Sequence, residues 1–210
     1  MSGTSSTTAP TLTFQLIGNW RRIILGPDEQ ITASVRAYVA ELVGPADAEA
    51  QVRALMRARF VGAFTIARDA GAVSVFLASE ITPGAPMPIM LTVFSPRDLR
   101  MTPATGTSPD AIMQMLRLGL TQLEVEGIDN AAELSIEGSE ILRIHREQVE
   151  PMHADAPGQF LTNLVVDYWY SVPDSKQVVL ANFSTPLADI PEIMVSFFDA
   201  TVLASSFAHS

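Results

Sequence analysis

His145, His153 and His209 are the only histidines in the sequence, and there is no cysteine. Imidazole is the side chain that titrates nearest neutrality, so these three positions are the first to weigh for acid–base chemistry. His145 falls in an alternating stretch that reads as a strand, and Glu133 falls in the strand before it. A hairpin closed by a three-residue loop sets Ile136 against Leu142, Leu134 against Ile144 and Glu133 against His145, which is the spacing of a general base held by a carboxylate. A two-residue turn at Gly138-Ser139 is the other closure, with Leu134 against Arg143 and Glu137 against Glu140. Side-chain pairing favours the first. An ordinary half-exposed cross-strand pair explains the same residues without any chemistry.

Nothing else in the sequence has the form of a catalytic motif. The histidines do not stand at metal-ligand spacing, and there is no HExxH. Ser139 lacks the second glycine of a nucleophile elbow and sits in a hairpin turn. No glycine-rich phosphate loop is present. The expectation is therefore a non-enzymatic protein with no catalytic residue, no metal and no cofactor.

The stronger signal is apolar. Met87, Met90, Met113, Met115, Met152 and Met194 join Trp20, Trp169 and the proline-rich stretch 82–88. Methionine adapts its shape, and it recurs on surfaces that accept varied apolar ligands. Trp169, Met87, Met90, Trp20 and Met194 are accordingly the candidate binding residues, with core filling as their alternative use.

Charge narrows the partners. The net charge is −10, and Lys176 is the one lysine. Residues 1–105 hold nine arginines and eight acids, whereas 106–210 hold four basic residues and fifteen acids. Nucleic acid and anionic membranes call for clustered Lys and Arg, so neither is an expected partner. Residues 124–140 contain six acids and no Lys or Arg, but not at the alternating spacing of a calcium loop. They read as a solvated strand face and loop whose natural complement is an arginine-rich protein. The N-terminus lacks the basic and apolar regions of a secretory signal, and no apolar run is long enough to span a bilayer. A cytoplasmic, soluble protein is expected.

The elements that carry these residues alternate irregularly along the chain. Residues 1–10 are polar and read as a disordered tail, and 11–210 as one α+β domain. Leu12, Phe14 and Leu16 alternate in a first strand, and a short strand follows Trp20. Gly26-Pro27-Asp28-Glu29 opens a helix striped by Ile31, Val35, Tyr38, Val39 and Leu42. A second helix starts near Asp47, striped by Val52, Leu55, Met56 and Phe60. Strands at 72–79 and 89–94 flank a rigid proline loop at 82–88. Ser108-Pro109 caps a third helix, and 149–159 reads as a loop. Asn163–Val172 and Gln177–Ser184 form a hairpin across Pro173–Lys176, with Tyr170 opposite Val179, Tyr168 opposite Ala181 and Val166 opposite Phe183. One face of that hairpin is wholly apolar. The other carries Trp169 and Leu180 beside Asp167 and Asn182 and is only partly covered. A last helix, with Asp189 as its cap, bears Met194, Phe197, Phe198 and Val202. The pattern predicts an antiparallel sheet of about six or seven strands with helices packed on it.

A strand leading to a tryptophan (Phe14 to Trp20), Val172-Pro173, Thr185-Pro186 and a terminal helix bearing Phe197-Phe198-Asp199-Ala200 together resemble the Mog1/PsbP-like superfamily, which includes DcrB- and LpqN-type proteins. The resemblance rests on element order and apolar spacing over most of 11–207. It implies a helix-flanked antiparallel sheet and a binding, assembly or chaperone role, and it transfers no site residue. The expected function is thus a protein-binding adaptor or chaperone-like accessory protein using an apolar sheet groove. The alternatives are a small-ligand binder or enzyme with a pocket between the sheet and the C-terminal helix, and a structural subunit or homodimer built on a sheet edge.

Overall fold

A computed structural model describes residues 10–82, 84–96, 106–151 and 160–208. The expected disordered tail lies outside these residues except for Pro10, as do Met152, His153 and His209. The protein is α+β, as its pattern predicts. Seven strands form one antiparallel sheet: β2 (Asn19–Ile23), β3 (Ala72–Thr82), β4 (Ala85–Phe94), β5 (Ala132–Ile136), β6 (Ser139–Pro151), β7 (Phe160–Ser171) and β8 (Val178–Thr185), in the order β2-β3-β4-β8-β7-β6-β5. A separate ribbon pairs β1 (Thr11–Thr13) with β9 (Ser206–Ala208). The helices are α1 (Asp28–Val43), α2 (Ala50–Asp69), α3 (Pro109–Gln122) and α4 (Pro191–Leu203).

Strand alternation gives the sheet two faces. The first carries Tyr168, Tyr170, Val166, Phe183, Leu91 and Ile141, packed against Met194, Phe198 and Val202 of α4. The ribbon and its continuation add Leu12, Phe14, Leu16 and Phe207. The second face has two separate helical layers. Ile31, Val35 and Val39 of α1 and Phe64 of α2 pack on Ile23, Val75 and Leu77 at the β2–β3 end. Ile112, Met113, Leu116 and Leu120 of α3 pack on Leu142, Ile144 and Val178, with Trp169 against them.

Several local readings need correction. The first strand stops at Thr13 and stays out of the main sheet. The stretch 82–88 is largely strand, because the β3–β4 hairpin continues to Thr82 opposite Ala85. Pro86 and Pro88 fit there because β4 pairs with β8 only from Met90 to Phe94. Beyond that point β4 is an edge, where a missing N–H costs no ladder bond. Likewise Val149–Pro151 continues β6 rather than opening a loop. The inner side of α2 is Met56, Phe60 and Phe64, while Val52 and Leu55 are exposed. The α4 cap position is Ile190 rather than Asp189.

Candidate functional site

The β7–β8 hairpin has the register its sequence predicts, with Tyr170 opposite Val179, Tyr168 opposite Ala181 and Val166 opposite Phe183. Asp174 adopts a left-handed conformation (φ 54°) in the turn, and the Val172 amide closes it on the Gln177 carbonyl at 3.1 Å. That register places three lateral rows on the second face. Trp169, Leu180 and Phe94 are direct neighbours across β7, β8 and β4. Asp167, Asn182 and Thr92 form the next row, and Val165, Ser184 and Met90 the third.

These rows lie between the two helical layers. Trp169 belongs to the layer under α3, and Met90 to the layer under α1 and α2. Leu180 and Phe94 are half-buried and, among the described residues, belong to none of the three packed clusters. The apolar row therefore runs out from beneath α3 onto Leu180 and Phe94, which among the described residues join no helix-packed cluster. The polar row is saturated from within. Arg146 donates to Asp167 Oδ2 at 2.6 Å, and Asn182 Nδ2 donates to Asp167 Oδ1 at 2.6 Å. Asp167, only 8 % exposed, keeps its charge balanced, so the trough floor holds no orphaned carboxylate.

The five candidate binding residues do not share one groove. Trp169 and Met90 rim the trough from opposite sides. Trp20 and Met87 sit with the first-face core, and the Trp20 Nε1–H donates to the Ile17 carbonyl at 2.9 Å. Met194 is fully buried under α4 and is core. The residues missed as candidates are Leu180 and Phe94. Only the partner strand β4, distant in sequence from β8, makes them a row.

The Glu133–His145 pair does not form. The hairpin turns on Glu137 and Gly138 (φ 75°) and pairs Ile136 with Ser139, Leu134 with Ile141 and Glu133 with Leu142. Neither closure considered from the sequence gives this register. Tertiary bonds select it: Ser139 Oγ donates to the Ser171 carbonyl at 2.6 Å, and the Glu140 amide donates to Ser171 Oγ at 2.9 Å. Glu133 then points to the second face and accepts from Arg117 at 2.6 Å. His145 stands opposite Val166 on the first face, half-buried, its Nδ1 without a hydrogen-bond partner among the described residues.

Elsewhere on the first face Arg143, Asp199 and Tyr168 are structural. Arg143 pairs with Asp199 of α4, and the Tyr168 hydroxyl donates to Asp199 Oδ1 at 2.8 Å. Burial, then the neighbouring Asp199 charge, pushes the Tyr168 phenol far above its ordinary value, and burial does the same to Tyr170. Both are protonated in the folded state at pH values where an unfolded chain ionises. Their contribution to stability is thus complete below about pH 10 and is lost as pH rises beyond it, by about 1.4 kcal/mol per pH unit for each tyrosine. Absorbance at 295 nm should show phenolate from these residues only as the protein unfolds. Reversible ionisation of all the tyrosines near pH 10 in the folded protein would contradict their burial.

Among the described residues no group of three or more His, Asp or Glu is placed to hold a metal ion, and no helix is long and apolar enough to cross a membrane. Comparison with protein-family models, with curated proteins and with solved structures finds no match.

Proposed function

We propose that this is a non-enzymatic binding protein, an adaptor or chaperone, that holds an apolar helix of a protein partner in the trough between α1–α2 and α3. The observation that carries this reading is the row Trp169–Leu180–Phe94, of which Leu180 and Phe94 lie outside the three packed clusters among the described residues. The saturated Arg146–Asp167–Asn182 network supports an apolar occupant, because covering that row strands no unpaired charge.

The test is partner affinity with single changes in the row. Leu180→Arg places a charge in the trough without touching a packed cluster, and it is expected to weaken binding at least thirtyfold, the scale of a central hot spot of about 2 kcal/mol. Trp169→Ala weakens binding too, with a loss of stability because its ring packs on the α3 core. Affinity should change little between low and high salt. A partner held equally by Leu180→Arg, or released by salt, would move the contact to the acidic surface instead.

A further inference from the structure

The first face holds a second concavity, remote from the trough. It has a volume of about 430 Å³ and is walled by Leu12 and Phe14 on one side and by Phe76, Val93 and Val179 on the other, with Arg22 and Ser74 at its rim. No residue of α4 lines it, so it differs from the pocket under the terminal helix that the sequence suggests. We propose that it binds a small organic anion with an apolar body, of the medium-chain monocarboxylate class.

Size, shape and charge each contribute. The volume is within the range of small-molecule pockets, roughly 300–1,000 Å³. The walls are built rather than incidental. Phe14 meets Tyr170 and Phe183 edge-on at 6.5 and 6.4 Å, and Val93 and Val179 are buried in the sheet. The cation is oriented. The Arg22 guanidinium lies 5.9 Å from the centroid of the Phe76 ring, and its Nη2 donates to Ser74 Oγ at 3.4 Å. Arg21, beside it on β2, pairs with Glu41, whereas Arg22 has no carboxylate partner among the described residues. In a chain with 23 acids and 13 basic residues, Arg22 stands at the mouth of an apolar cavity with no acid partner among the described residues, and its charge complements an anionic ligand. Residues 1–9, which lead into Pro10 at the same rim, contain no acidic residue and little apolar surface. The chain's own N-terminus therefore matches neither the cation nor the walls. A carboxylate does, since a guanidinium fork donates to its two oxygens together, and the alkyl chain lies on Phe14, Val93 and Val179.

The test is a methyl-resolved NMR titration of the full chain with sodium octanoate and, separately, with octanol. Octanoate is expected to shift the Val93 and Val179 methyl signals saturably, and octanol to bind roughly ten- to a hundredfold more weakly, the worth of a hydrogen bond to a charged group. Arg22→Gln should bring octanoate down to the affinity of octanol and leave octanol unchanged. Arg22→Lys, which keeps the charge and loses the fork, should fall between. Arg22 is exposed, so the variants are expected to give the wild-type methyl spectrum without ligand. Three outcomes overturn the proposal: no saturable shift at these valines, equal affinity for octanoate and octanol, or an Arg22→Gln chain that binds octanoate as wild type does. None of them bears on the trough, which lies on the opposite face.

Discussion

Phe198→Ala is expected to cost about 3–5 kcal/mol of stability, the range for truncating a buried aromatic residue. Phe198 is fully buried and stacks on Phe183 with centroids 4.6 Å apart, and Phe183 meets Tyr168 edge-on at 5.6 Å. The ring joins α4 to the two central strands β7 and β8, so the cavity left by alanine opens where the first-face core is densest. Domains of this kind are stable by about 5–15 kcal/mol in total. The variant should therefore unfold at much lower urea concentration, with an unchanged dependence on denaturant if the folded state keeps its compactness. A loss below about 1 kcal/mol would mean that α4 is not docked as described. Exposed Ile193, five residues before Phe198 on the same helix, is the control. Ile193→Ala should stay within about 0.5 kcal/mol of wild type.

Asp199→Ala is the second large effect, expected at about 2–4 kcal/mol. The cost is not simply the ion pair. Removing the carboxylate leaves the Arg143 guanidinium, whose side chain is 18 % exposed, without its acid, and leaves the Tyr168 hydroxyl without an acceptor. Arg143 Nε already has no partner among the described residues. A buried pair contributes little net stability compared with apolar residues of the same volume, while half a pair is costly. The double change Arg143→Met with Asp199→Leu should therefore recover most of the loss. A double variant as unstable as Asp199→Ala would show that the pair itself, rather than the orphaned charge, sets the cost.

The parts of this fold that were legible in the sequence are those fixed by neighbours in the chain. Ser108 caps α3 by accepting from the Ala111 amide at 3.3 Å, and serine before proline is a local signal for that geometry. The β7–β8 register follows from one turn and two alternating strands, and with it came the partly covered face holding Trp169 and Leu180. What failed depends on distant partners. β1 pairs with β9 across almost the whole chain, and nothing in Thr11–Ile17 distinguishes a three-residue ribbon from a longer sheet strand. The β5–β6 register is chosen by Ser171, some thirty residues onward, so side-chain pairing within the hairpin misplaced Glu133 against His145. Methionine content could not separate Met194, in the middle of the core, from Met90 at the trough rim, because both sit on apolar stripes. Phe94 and Leu180 become a row only once β4 lies beside β8, a neighbour relation that spans α3 and three strands.

The proposed binding of an apolar helix over β4 and β8 is tested by photo-cross-linking in the native cell from an aryl-ketone amino acid placed at position 180, with position 193 on the opposite face as the control. Position 180 is expected to cross-link to one partner, at an amphipathic helical segment and in competition with a peptide of that segment, and position 193 to none. No partner cross-link from position 180, or equal cross-linking from both positions, would contradict it.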